Sequence, residues 1–414
     1  MVRLVTALIA LHLYAGHVLA ADSLNSTDRL RQFMEQVRPQ PSASQAGGQA
    51  VREAAAVSPA RLQDRAELLK TGEIALARLD VTAALDAFER ATLILHAADT
   101  EIALVRTYMQ GGDYRRALAF GAHTAGAHLD VIGGSTLYAW LLHVGGQPAI
   151  AQRLLAASES RMPGNLVVAA VQQQLLSGNP VATGQLLAPP TRLAPYGDAK
   201  GLPDTARVVG SALLLQSGTG ALIPLSLLPR SGRLWLRNGL GQLVKAKIDK
   251  QLNDLNVALV RLDGPLPTPE DLLVAPGDAF PGSAGFAVEY VSTPDAAPAW
   301  PVLRTGFLGG ARGDSGERLL GIDMPAGPRG GPVFDGYGRL IGLALQRPGA
   351  TAAAAGDDLL MPVSQLRKAL RGAMASEQLT SQDATGPAGS RPRGLVDKIY
   401  EGSLKTGLQV ITAP

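Results

Sequence analysis

Residues 187–204 carry four prolines, at positions 189, 190, 195 and 203, and the character of the chain changes across them. Proline fixes φ and removes an amide donor, so such a stretch continues neither a helix nor a sheet. Before it, apolar residues recur at helical spacing. After it come short apolar or β-rich runs parted by Gly and Pro, over 206–216, 233–236, 257–262, 286–291, 302–307, 318–322, 331–334 and 340–345. That succession predicts an α-helical domain followed by an all-β sandwich or barrel. A chain of 414 residues is long enough for both. The expected division is a targeting segment over 1–20, a helical or flexible linker over 21–59 and helical repeats over 60–187. A Pro-rich linker over 188–204, the β domain over 205–373, and a disordered linker with a C-terminal tail over 374–414 complete it.

At the amino end, Arg3 precedes an apolar run over 4–20 that closes on Val18-Leu19-Ala20. A charged start, an apolar stretch and small residues at the cut predict a cleaved signal peptide, and hence a periplasmic or secreted protein. The other reading is an uncleaved membrane anchor, for which 17 residues containing His12 and His17 are marginal. Composition narrows the remainder. Hydrophobic residues at 46% and charged residues at 18% describe a chain that builds a core. A net charge of +3 with 4% aromatics gives no electrostatic or stacking surface for nucleic acid. With no cysteine, disulfides, thiolate metal sites and cysteine nucleophiles are excluded.

The helical block repeats. Ala84, Ala117 and Ala151 sit at equivalent places, 33 and 34 residues apart. A period near 34 belongs to helix-turn-helix repeats, where a small residue lets two antiparallel helices approach. Gly72, Ala84, Phe88 and Ala91, with Tyr108 in the second copy and Pro163 ending the third, resemble the tetratricopeptide pattern. A degenerate fourth pair is expected over 166–187, and an ordinary helical bundle is the other reading. Stacked repeats present a concave surface suited to a peptide or protein partner.

In the β region, Gly327-Pro328-Arg329-Gly330-Gly331-Pro332, followed by two short strands and Ile341-Gly342, resembles the nucleophile region of trypsin-like serine proteases. The bacterial Deg-like members are the most similar. Further similarities follow in the family's order: 217–223, the run over 233–262 with its turn at Asn238-Gly239, the turn over 276–283, and 359–366. The resemblance spans 206–372 and implies a chymotrypsin-like double β-barrel.

Serine catalysis needs a nucleophile, a base and an orienting acid. Arg329 stands where the family carries its serine, and a guanidinium has no lone pair for attack. Asn256 stands at the acid position, with Asp254 two residues earlier on an expected strand. The segment that would bear the histidine is too short and holds Pro224 and Pro229. All six histidines, at 12, 17, 96, 123, 128 and 143, precede the β domain. Gly313-Asp314-Ser315-Gly316 spells the nucleophile motif but is expected to be a hairpin loop with no base for Ser315. Lys245, Lys247, Lys250 and Lys368 are the candidates for a Ser–Lys dyad, and the first three read as a solvated face. His123 and His128, five apart and without H-E-x-x-H, read as surface or inter-helix residues. No metal and no cofactor is therefore expected.

These absences point to a noncatalytic pseudoprotease that binds or scaffolds a protein or peptide through its repeats and its degenerate cleft. The binding residues would be Gly327, Arg329, Gly330 and Gly331. At that turn the arginine either faces water or joins the backbone N–H groups in holding a carboxylate, of this chain or of a partner. An active atypical serine endopeptidase and a structural subunit of an envelope or secretion assembly are the alternatives.

Overall fold

The computed structural model describes residues 57–176, 201–229, 231–269, 273–312, 317–325, 327–347, 358–373 and 396–414. The expected signal segment, the first linker, most of the Pro-rich linker and residues 374–395 lie outside the described residues.

Seven helices come first: α1 (Pro59–Ala77), α2 (Val81–Ile94), α3 (Ala98–Gly111), α4 (Tyr114–Ala127), α5 (Ile132–Val144), α6 (Pro148–Arg161) and α7 (Leu166–Leu176). Local chemistry sets their ends. Ser58 accepts a hydrogen bond from the Arg61 amide, and Pro59 occupies the first turn, where no donor is needed. Asp80 caps α2 through the Ala83 amide. Gly112, at φ 81°, turns the chain out of α3. Consecutive helices pack as pairs, α1 on α2, α3 on α4 and α5 on α6. Ala84, Ala117 and Ala151 each lie one turn into the second helix of a pair and have no exposed surface. At Gly72 a Cβ would collide with the Phe88 ring, so the small-residue positions are close approaches between helices. None of the described helices is long and apolar enough to cross a membrane.

The β region opens with β1 (Arg207–Leu214), β2 (Gly220–Pro224), β3 (Arg233–Asn238), β4 (Leu243–Leu252) and β5 (Val257–Leu262). These close into a six-stranded barrel in the order β1-β13-β3-β4-β5-β2. The sixth member, β13 (Gly407–Ala413), comes from the carboxyl terminus. A second antiparallel sheet runs β12-β11-β10-β6-β7. It is built from β6 (Ala284–Glu289), β7 (Val302–Phe307), β10 (Pro332–Asp335), β11 (Leu340–Leu345) and β12 (Leu359–Pro362). The two-residue strands β8 (Ala311–Arg312) and β9 (Glu317–Arg318) pair with each other, and α8 (Val363–Ala373) and α9 (Val396–Thr406) complete the chain. The expected order of a helical array followed by a barrel and a second β unit is what is observed. Among the described residues the second unit is an open sheet.

Alternation explains the apolar density of the barrel strands. Ala212 and Leu214 point into the barrel, while Leu213 and Leu215 face a core shared with Val288, Phe334 and Leu343 of the second sheet. A strand apolar on both faces reads as a continuous run.

Two expectations need correction. Residues 396–414 were expected in a tail outside the domain, yet β13 is hydrogen-bonded on both sides, to β1 and β3, and every residue of it is buried. The run 318–322 was expected to be a strand, but only Arg318 lies in one. Gly321 has φ 70°, which breaks the extended path, while Leu320 and Ile322 are buried without a ladder.

The helical array is docked on this unit. Tyr114 meets Trp300 edge to face at 4.3 Å between ring centroids. Arg115 binds Glu401 through Nε at 3.1 Å and Nη2 at 2.8 Å. Leu240 and Leu404 belong to the same buried cluster as the helix core.

Candidate functional site

The turn over 327–331 enters β10 at the seam between barrel and sheet. Two close approaches hold it there. A Cβ at Gly330 would collide with the carbonyl of Ser211 on β1 and press on Pro224 at the end of β2; one at Gly331 would collide with the Val288 carbonyl on β6. Both positions therefore require glycine, and the seam is tight.

Arg329 does not face water: its side chain is 8% exposed. Nε donates to Asp358 Oδ2 at 2.6 Å and Nη1 donates to the Gly327 carbonyl at 2.8 Å. The carboxylate that this arginine holds thus comes from the same chain, just ahead of β12. The amides of Gly330 and Gly331 are also committed internally. They donate to Glu289 Oε1 at 3.1 and 2.9 Å. Glu289 is 3% exposed, and Oε2 has no hydrogen-bond partner. Burial pushes its pKa up to about 7, against the opposing pull of Ser211, the two glycine amides and the Arg329 charge.

Asn256 also reaches the seam, through its backbone. It has φ 54° and ends a 3-10 turn over Asn253–Leu255. Its carbonyl accepts from the Leu225 amide at 3.0 Å. Asp254, expected on a strand, lies within that turn, so a period-two argument does not apply to it. β2 is followed by a second 3-10 turn, Leu225–Leu227, next to the Pro224 that packs on Gly330. The three stretches on which the protease resemblance would seat base, acid and nucleophile therefore meet around Pro224 and Leu225. They bring a Leu-Ser-Leu turn, an asparagine and a paired arginine. Chemically the seam offers a fixed cation, a buried carboxyl group and already occupied amides.

Lys245, Lys247, Lys250 and Lys368 are exposed, and Lys247 pairs with Asp263 at 3.1 Å. Ser315 and its motif lie outside the described residues. A separate cavity of about 850 Å³ opens where the α3–α4 corner meets β10 and α9. Its charged lining includes Arg115, Arg116, Lys398 and Lys405 against Asp113 and Glu401.

Glu289 and Asp358 were not anticipated from sequence. A carboxylate inside the apolar run over 286–291 was the available signal for the first. Asp358, beside Asp357 ahead of the apolar Leu359–Pro362, gave no signal of burial.

No protein-family model matches the chain, and no curated protein matches it. Among solved structures the chain is similar to the MamO protease domain from Magnetospirillum magneticum in its apo form. That likeness is 17% identical, covers 41% of this chain and 98% of that one, and has a TM-score of 0.31.

Proposed function

We propose that this chain is a noncatalytic relative of the trypsin-like proteases, a two-module protein that binds or scaffolds a peptide or protein partner. The observation that carries this reading is the occupation of the nucleophile turn by a buried arginine already neutralised by Asp358. A guanidinium has no lone pair with which to attack a carbonyl and stays protonated at working pH. Within the β region the sequence offers no imidazole to act as base. Fold and site are separable, so a domain without its triad can keep a binding role. The tetratricopeptide-like alanine period supports a partner-binding helical module, and the cavity beside α9 is large enough to take side chains of a partner. The apolar run after Arg3, read as a signal segment, supports a periplasmic or secreted site for this binding role.

The reading is tested with casein and unfolded protein as substrates and a labelled fluorophosphonate as probe. The expected result is no turnover and no labelling, for the wild type and for Arg329→Ser alike, because the serine would still lack a base. Hydrolysis that disappears in Ser315→Ala would overturn it.

A further inference from the structure

Three of the six histidines fall within residues 96–128. His96 lies in the α2–α3 connection, His123 near the end of α4 and His128 directly after it. The packing of α3 on α4 gathers them around Glu101, in the first turn of α3. His96 Nε2 is 2.6 Å from Glu101 Oε1, His123 Nε2 is 3.3 Å from the same oxygen, and His128 Nε2 is 3.4 Å from Oε2. The ligating atoms of His96, Glu101 and His123 all lie within 4.8 Å of one another.

Glu101 has no exposed surface, and neither carboxylate oxygen has a well-aligned donor; His128 Nε2 is likewise buried without a hydrogen-bond partner. An uncompensated buried carboxylate is costly. The nearby carboxylates that take arginines, Asp99 with Arg65 and Glu73 with Arg106, are the more exposed ones. Glu101 instead meets three imidazoles, Nε2 first. Imidazole nitrogens with one carboxylate are the donors that zinc and its first-row neighbours take. His96 and His123 are half exposed, so an ion and an exchangeable water have access from solvent.

We propose that His96, Glu101 and His123 bind a divalent first-row transition ion such as zinc, with His128 Nε2 as a fourth ligand on the buried side. Around a tetrahedral ion, ligand atoms about 2.0–2.2 Å from the metal stand about 3.4 Å apart, so the 2.6 Å contact of His96 with Glu101 opens and the wider pairs close to complete the shell. The ion ties the α2–α3 connection to the end of α4. A search along one helix for H-E-x-x-H misses such a site, because its ligands come from two helices and the connections beside them.

The test uses the full chain without an affinity tag, stripped with chelator and titrated with zinc sulfate by calorimetry and equilibrium dialysis. One zinc per chain is expected, with a Kd below about 1 µM and a raised melting temperature. His96→Ala and His123→Ala should each weaken binding at least about tenfold, and His143→Ala should leave it unchanged. His123→Gln keeps a polar side chain of similar size beside Glu101 but ligates poorly; it should lose zinc while retaining the metal-free melting temperature. A wild type that binds no zinc, or a His123→Gln variant that binds it as tightly, overturns the site.

Discussion

Arg329 and Asp358 form an ion pair whose side chains are 8% and 10% exposed. Removing one member of such a pair leaves a charge buried without its counter-ion, at a cost of about 3–5 kcal/mol, whereas replacing both with apolar groups is often neutral. Arg329→Ala should therefore lower unfolding free energy in urea by about 3 kcal/mol, and Arg329→Met combined with Asp358→Leu should recover most of it. Additive losses in the double variant would show that the arginine acts through contacts other than the carboxylate. Glu289, at the same turn, gives a pH dependence of defined sign. Its pKa is about 7 in the fold against 4.5 for the free group, so the folded state binds the proton more tightly. Its contribution is present below pH 4.5 and is lost as pH rises through about 7. Glu289→Gln keeps an acceptor for the Gly330 and Gly331 amides and carries no charge. Thermal melts between pH 5 and 8 should show the wild type losing stability toward pH 8, and the glutamine variant losing less. Equal slopes would remove Glu289 as the titrating group.

β13 is the element on which the barrel depends most. It lies between β1 and β3, sends Leu408 and Val410 into the barrel core, and places Ile411 and Ala413 against Trp235. Its Gln409 accepts from Arg237 Nε at 2.7 Å, and Arg237 Nη2 reaches the carbonyls of Ala296 and Ala297 at 2.8 Å. A chain ending at residue 395 would expose the ladder edges of β1 and β3 and leave the buried Arg237 short of a partner. It should be recovered insoluble or without the near-ultraviolet circular dichroism of the full chain. A soluble, cooperatively melting truncation would show that the barrel closes without this strand. The bounds of β5, β7 and β11 coincide with runs legible in the sequence, because each is β-rich and bounded by turn residues. Residues 407–413 have the same composition, yet their partners stand about 200 positions upstream, and pairing at that distance leaves no local mark. The same limit applies to the sites. The resemblance carried Arg329, Asn256 and the glycines to the seam. Asp358, Glu289 and the imidazoles around Glu101 are functional or structural only through their juxtaposition, which spacing along one element does not encode.

Across the whole molecule, α9 joins the two modules. Leu404, on this helix, belongs to the helix-array core and Ile399 to the core between barrel and sheet, so one short helix is buried from both sides. Polar contacts lock the same junction: Tyr400 donates to the Pro301 carbonyl at 2.9 Å, and Glu401 takes the Arg115 backbone amide at 3.0 Å as well as its guanidinium. A junction with this much shared core should make the modules unfold together. Denaturant unfolding is expected to show one transition when the helical and β regions are followed by separate probes. Leu404→Ala removes the Cγ and both Cδ atoms from a site with no exposed surface, a change that costs about 2–5 kcal/mol in well-packed cores. Because that loss falls on the junction, the variant should separate the transition into two, the helical array melting first. Arg115→Ala with Glu401→Ala tests the polar part by a double-mutant cycle, with a coupling of about 1.5–3 kcal/mol for a charge-assisted pair as the upper range, reduced by the partial exposure of Arg115. Two transitions already present in the wild type would mean that the shared core does not couple the modules. Partner binding at the helical array would then leave the stability of the barrel unchanged. A single transition predicts that any ligand of the helical array, zinc included, raises the melting temperature reported by barrel probes as much as that reported by helix probes.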